Sequence, residues 1–435
     1  MALHCATGEP MPATSAESEH RPDLTTPAPA IAPPPLSLEE RAAELHRHSI
    51  VIDTHNDITS TILENEFDLA TPTGRTATNL PRMRAGGITG EFFSIYVDKR
   101  FYEHPSSFDG GSARRALDMI DITYQQIERH REDLVLATSA DEVRRAKHDG
   151  KIAILMGIEG GHAIENSLYA LRGFYRLGIR YMTLTHSVHN DWADSSGVDA
   201  TPPKPAHHGL SAFGEAVVRE MQRIGMLVDV SHVSDETFDG VMRIAKAPII
   251  ASHSSARALC DVPRNLSDDE LRAVAKNGGV VMVNFYPGYI DPAYLQAQRA
   301  FRAKHAKEIE ELGKRHLKLS ELRDSYMRMG AGDLPKTPLS VLVDHIEHIA
   351  KVAGIDNVGL GSDFDGVPAL PVGLEGIDGL PKITLELVKR GWSDEDVKKV
   401  LGENFLRVFA QADVYARATK TTLSGDGSRE TIAPK

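Results

Sequence analysis

Two strong metal ligands, His55 and Asp57, stand one residue apart in the stretch VIDTHNDI, residues 51–58. On an extended strand successive side chains alternate faces, so positions 55 and 57 share one. A lone His-x-Asp pair is also what a solvated strand end looks like, so its meaning depends on what other segments bring to it. Five more apolar runs end in the same kind of residue: Glu159 in GIEGG, His186 in TLTHS, His232 in DVSH, His253 in ASH and Asp363 in GSDFDG. Imidazole nitrogens and carboxylate oxygens without thiolates suit Zn²⁺, Mn²⁺ or Fe²⁺, with zinc the first expectation. The residues group naturally as His55 and Asp57 on one ion, His232 and His253 on a second, and Glu159 between them. A water shared by two such ions is a hydroxide near neutral pH, which is a hydrolytic nucleophile.

The elements that must position these residues alternate. Runs such as SIVIDTH, ITGEFFSIYV, KIAILMGIEG, IRYMTLTH, GMLVDVSH, APIIASH, GGVVMVNFY and NVGLGSD are strand-like, and helix-prone segments such as SAFGEAVVREMQRIG separate them. Eight β-α units predict an α/β chain folded as a (β/α)8, TIM-like barrel, whose strands all present their C-terminal ends to one face. Residues 289–336, charged and helix-prone, predict a helical insertion after the seventh strand. No glycine-rich dinucleotide or phosphate loop occurs.

Other polar residues have plainer readings. Asp363 competes with Asp365, and one of the two belongs to the loop. His345 and His348, three apart, fall on a helix before the last strand and read as structural. His207 and His208 lie in a proline-rich loop and read as solvated, and Cys260 as a packed small residue. His186 taken alone is as compatible with a structural hydrogen bond as with a functional one.

The acidic excess, 61 Asp and Glu against 49 Lys and Arg, argues against a nucleic-acid binder. No apolar run is long enough to span a bilayer, and two cysteines make no disulfide framework. The N-terminus lacks a basic and apolar leader, so a cytoplasmic protein is the expectation. Residues 1–36, rich in Pro and Ala, read as a disordered tail, 37–416 as one barrel domain and 417–435 as a second loose tail.

The motifs IDTHND, GIEGG, LTHS with WADS, DVSHVS, SHSSARAL, PRNLSDDEL, VMVNFYP, VGLGSDFDG and ENFLRVF follow one another across residues 45–412. In this the chain resembles the membrane (renal) dipeptidase family of binuclear zinc peptidases, within the amidohydrolase barrel superfamily. The resemblance implies two zinc ions per chain bridged by Glu159, with His55 and Asp57 on the first and His232 and His253 on the second. It further implies that His186 contacts substrate, that Arg264 binds a substrate carboxylate, and that Asp363, rather than Asp365, handles the proton. The implied reaction is hydrolysis of small dipeptides with free termini, L-L and also L-D, and the implied assembly is a homodimer. Animal members of the family are secreted, lipid-anchored and disulfide-bonded, whereas Val188 here stands where they carry a cysteine. The alternatives are an amide hydrolase of the same barrel acting on a peptide-like biosynthetic intermediate, or a metal-holding protein without catalysis.

Overall fold

Along Ile152–Glu159 every residue is buried, and the side chains divide by parity. Ile152, Ile154, Met156 and Ile158 join the apolar layer shared with the helices. Ala153 and Leu155 join a second cluster with Phe92, Tyr181, Phe405 and Phe409. A strand buried on both faces belongs to a parallel sheet covered by helices. Glu159 ends the inner set, two residues beyond Gly157.

The structure, a computed structural model, describes residues 36–105, 110–197, 203–315 and 317–425, together with residue 10. The strands are β1 (Ile52–Asn56), β2 (Gly90–Tyr96), β3 (Leu134–Leu136), β4 (Ile152–Glu159), β5 (Ile179–Thr183), β6 (Leu227–Asp229), β7 (Ile250–Ala251), β8 (Val280–Val283) and β9 (Val358–Leu360). Eight of them run in the order β1-β2-β4-β5-β6-β7-β8-β9, with β3 paired to β4 off this path. All the pairings are parallel. The seam between β9 and β1 is drawn together by Asp363 N–H donating to the His55 carbonyl at 3.0 Å and Asp57 N–H donating to Phe364 O at 2.8 Å. The result is the nearly closed (β/α)8 barrel that eight strand-like runs predict. Strand β3, three residues long, carries no periodicity to read, and the sequence reading missed it.

The barrel floor is closed by the last helix, Asn404–Gly425, which places Phe405 and Phe409 against Phe92. Each such buried ring contributes about 1.5–3 kcal/mol. This helix runs through residues 417–425, so that part of the expected loose tail is helical, and 426–435 lie outside the described residues. The tail expected over 1–36 also lies outside them, apart from Pro10 and Leu36. After β8, the seventh barrel strand, the chain forms helices Pro287–Ile290, Pro292–Lys304, Ala306–Gly313 and Leu319–Arg328, the insertion expected from its composition. Among the described residues no helix is long and apolar enough to cross a membrane.

Candidate metal and active site

Pairing between β1 and β2 slips by one residue between Asp53 and Asn56. Ile52 points into the barrel; the slip then returns His55 and Asp57 to the interior while Asn56 turns outward to bond Glu91 at 2.6 Å. Simple alternation from the apolar start of the strand would have exposed the wrong residue. His55 belongs to β1, but Asp57 lies past its end, at the N-cap of helix Ile58–Asn65. Glu159 is the last residue of β4. His186, His232, His253 and Asp363 follow β5, β6, β7 and β9 by two or three residues, on loops rather than on the strands. Two of these loop residues, His232 and Asp363, hold left-handed backbone at φ 67° and 65°. That conformation is rare for residues other than glycine and is kept where the surroundings enforce it.

The seven side chains converge. Glu159 divides its oxygens: Oε2 lies 3.4 Å from His55 Nε2, while Oε1 lies 3.0 Å from His232 Nε2 and 3.2 Å from His253 Nε2. His55 Nε2 is also 3.4 Å from Asp57 Oδ2, and the His232 and His253 Nε2 atoms are 2.9 Å apart. His186 stands farther out, 3.9 Å from Glu159 Oε1. Three overlapping sets bring ligand atoms close enough to share an ion: His55, Glu159 and His253; Glu159, His186 and His232; His55, Asp57 and Asp363.

The tautomers of two histidines follow from their neighbours. The Tyr181 hydroxyl donates to Thr54 O at 3.0 Å, so at 2.9 Å from His55 Nδ1 it is an acceptor and His55 Nδ1 carries the proton. Ser252 Oγ donates to Asp229 Oδ2 at 2.6 Å and accepts from His253 Nδ1 at 2.7 Å. In their neutral forms both rings therefore turn an Nε2 lone pair toward Glu159, the arrangement a metal ligand requires. His55 Nε2 and Asp57 Oδ1 are buried without a hydrogen-bond partner. Orphaned nitrogen and oxygen donors with no thiolate among them fit a cation of the zinc class.

The electrostatics agree. Burial, then the Arg264 charge, hold His232 well below the ordinary imidazole range; burial, His55 and Arg264 do the same for His253. Burial opposes ionisation of Glu159, but the surrounding imidazoles, His55 first, outweigh it and keep the carboxyl well below its usual value. Burial would also lower His55, yet Tyr181, Glu159 and Asp57 raise it well above the imidazole range. A proton drawn to that spot and a metal cation answer to the same field. Asp363 is lifted to about 7, mainly by burial, with Asp57 and Glu159 adding and His55 opposing. Asn284 Nδ2 donates to its Oδ2 at 2.8 Å.

A cavity of about 250 Å³ opens on Asp57, Glu159, His186, His232 and Asp363, with Tyr96 and Tyr289 in its walls. Arg264 is not in that wall. Its guanidinium is buried, donating to Ser254 Oγ at 2.8 Å and His253 O at 2.9 Å, with Nε left without a partner and the Tyr289 ring 5.6 Å away.

Asp365 takes the loop role: its oxygens accept the Ala77 and Thr78 amides at 2.8 and 3.0 Å. His345 is structural, bonded to Ala256 N–H and Ile290 O, and His348 pairs with Asp268. His208 is exposed, as expected of a loop residue, but His207 is half-buried and bonds Asn190 O at 2.8 Å. Cys260 is buried. Sequence reasoning missed Tyr181, Ser252 and Asn284, ordinary core or loop residues whose roles arise from distant partners; Ser252 opens the motif SHSSARAL and Asn284 lies in VMVNFYP, but neither was singled out.

Comparison with known proteins gives the family. The model of the membrane dipeptidase family (peptidase family M19) matches residues 39–423. The probable dipeptidase PvdM from Pseudomonas aeruginosa is 27% identical, with a TM-score of 0.74 over 87% of this chain and 99% of that one. A metallopeptidase from Rhodobacter sphaeroides, liganded with a phosphinate mimic of L-Ala-D-Ala, is 25% identical, with a TM-score of 0.66 over 84% and 99%.

Proposed function

This chain belongs to the membrane dipeptidase family of metallopeptidases, and from that premise we propose that it hydrolyses dipeptides with free termini at a centre of two zinc ions bridged by Glu159. The observation that carries the reading is the split of the Glu159 carboxylate, one oxygen toward His55 and the other toward His232 and His253. His55 and Asp57 would hold one ion, His232 and His253 the other. Zinc at such a centre supplies an acidified water as nucleophile and polarises the scissile carbonyl.

The chain's own residues do the rest. Asp363, on the wall of the metal cavity, accepts the proton of the attacking water and passes it to the departing amine. Asn284 and the left-handed backbone at 363 hold that carboxyl in place. His186, on the cavity wall, donates to the carbonyl oxygen as charge develops there. Arg264, buried behind the cavity wall with its Nε unpartnered, is the cation we assign to the substrate carboxylate. The L-Ala-D-Ala mimic held by the Rhodobacter enzyme supports including L-D dipeptides.

The test is hydrolysis of L-Ala-L-Ala and L-Ala-D-Ala by purified protein with metal content measured alongside. The expectation is turnover with two zinc ions per chain, loss of turnover on chelation, and recovery with Zn²⁺. Full activity at one ion per chain overturns the dinuclear reading, and no turnover of any dipeptide by the zinc-loaded protein overturns the function.

A further inference from the structure

The outer face of the barrel wall carries an acid among apolar neighbours. On β2, Phe93 and Ile95 join the apolar layer between sheet and helices, and so does Ile154 of β4, which stands level with Glu91. Glu91 shares the parity of Phe93 and Ile95 and is fully buried. On its other side it is level with Asp53 of β1, a second fully buried acid on the same face.

Donors are shared unevenly between the two. Asp53 Oδ1 accepts Ser362 N–H at 2.7 Å, and Oδ2 accepts the Ser362 hydroxyl. Glu91 Oε1 accepts Asn56 Nδ2 at 2.6 Å, but Oε2 is buried and receives no donor. A bare carboxylate oxygen is costly to bury, whereas the same oxygen protonated becomes a donor itself. Burial, then the Asp53 charge, raise Glu91 well above the usual carboxyl range, and Asp53 also takes the hydrogen bond of the acid.

Asn56 is where this acid meets the metal site. Its amide donates to Thr78 Oγ1 at 2.7 Å as well, and its carbonyl accepts Ile58 N–H at 3.0 Å. It stands between His55 and Asp57, at the end of the slip against β2 that returns both to the interior. Three hydrogen bonds thus fix the one outward side chain between two inward ones.

We propose that Glu91 is a positioning residue, kept as a neutral acid, which accepts from Asn56, donates to Asp53, and so holds His55 and Asp57 in place for one metal ion. This rests on the two-ion reading above and adds the group that supports one ion and not the other.

The test measures Zn²⁺ binding by competition with a chromophoric chelator, with circular dichroism to confirm folding. Glu91→Gln keeps an acceptor for Asn56 and a donor for Asp53, and is expected to bind two ions as the wild type does. Glu91→Leu removes both bonds and should bind one ion about 10–100-fold more weakly while the other keeps its affinity, the scale of losing a support behind a metal ligand. Asn56→Ala removes the amide and leaves the acid; it should show the same one-ion loss, and it serves if Glu91→Leu does not fold. Infrared difference spectra of wild type minus Glu91→Gln, at about pH 8 and so far above the ordinary carboxyl range, should contain the C=O stretch of a protonated carboxylic acid. Absence of that band, or Glu91→Gln binding as weakly as Glu91→Leu, overturns the neutral acid. Unchanged affinities in Glu91→Leu and Asn56→Ala, or equal weakening of both ions, overturn the positioning role, and a wild type holding two ions then leaves the dinuclear reading standing. A wild type holding fewer than two ions sinks that reading and this inference with it.

Discussion

Gly157 and the Tyr181 ring compete for one volume: a Cβ on residue 157 would fall inside the phenol. The missing side chain on β4 lets Tyr181 cross the barrel and meet His55 Nδ1 at 2.9 Å. A void in one strand thereby sets the tautomer of a candidate metal ligand on another. Tyr181→Phe should lower zinc affinity by about 10–100-fold while leaving the fold in place, the usual cost of losing a partner behind a metal-bound histidine. Gly157→Ala should do at least as much, because it displaces the ring. Competition against a chromophoric chelator measures both, and unchanged affinity in Tyr181→Phe would remove the tyrosine from the site.

Gly366 plays a similar part from the loop after β9. A Cβ there would press on Asp57 Oδ2 and stand 2.5 Å from Asp363 Oδ1. Gly366→Ala should therefore reduce kcat by about 100-fold, the scale of a 1 Å misplacement of reacting groups. Circular dichroism should show the fold retained. A variant with normal kcat would mean the two carboxylates have more room than the structure gives them.

Arg264 has two duties to separate. Its terminal nitrogens hold Ser254 Oγ and the His253 carbonyl, and its Nε is buried without a partner. Arg264→Ala is expected to raise KM for L-Ala-L-Ala by roughly 10–100-fold, and far less for the C-terminal amide of the same dipeptide. Equal effects on both substrates, accompanied by lost zinc, would make this arginine a support for His253 alone.

His345 gives the fold a pH dependence away from the metal cluster. The buried ring accepts from Ala256 N–H through Nδ1 and donates to Ile290 O through Nε2, so it is needed in its neutral form. Burial lowers its pKa from 6.5 to about 4. The unfolded chain takes up the proton first as pH falls, so the stabilisation is complete above about 6.5 and is lost progressively between 6.5 and 4. The slope is about 1.4 kcal/mol per pH unit, or about 3 kcal/mol in all. Denaturant midpoints measured across that range should fall less steeply in His345→Gln than in the wild type, and parallel curves would refute the assignment.

The identity of the clustered residues was legible in one dimension. Apolar runs ending in His, Asp or Glu mark barrel strands, since only strands with covered faces are apolar throughout and only their C-terminal ends tolerate such groups together. Strand rhythm was thus sufficient for the barrel and for His55, Asp57, Glu159, His232 and His253, whereas choosing Asp363 over Asp365 and giving His186 a role took the family resemblance. What rhythm does not contain is parity across an irregularity. The slip in β1 that returns His55 and Asp57 to the interior depends on pairing with β2, not on anything local to the octapeptide.

Tertiary structure alone decided the groups behind the ligands and the space in front of them. Tyr181, Ser252 and Asn284 acquire their roles from partners 126, 23 and 79 positions away, and a larger chamber beside the metal cavity exists only because the insertion folds back over loops from the start of the barrel. Side-chain types and their spacing along a strand are local properties, so the sequence by itself determined which chemistry is present. Tautomers, carboxylate sharing and cavity shape are set by contacts between distant segments, and those form only when the barrel closes.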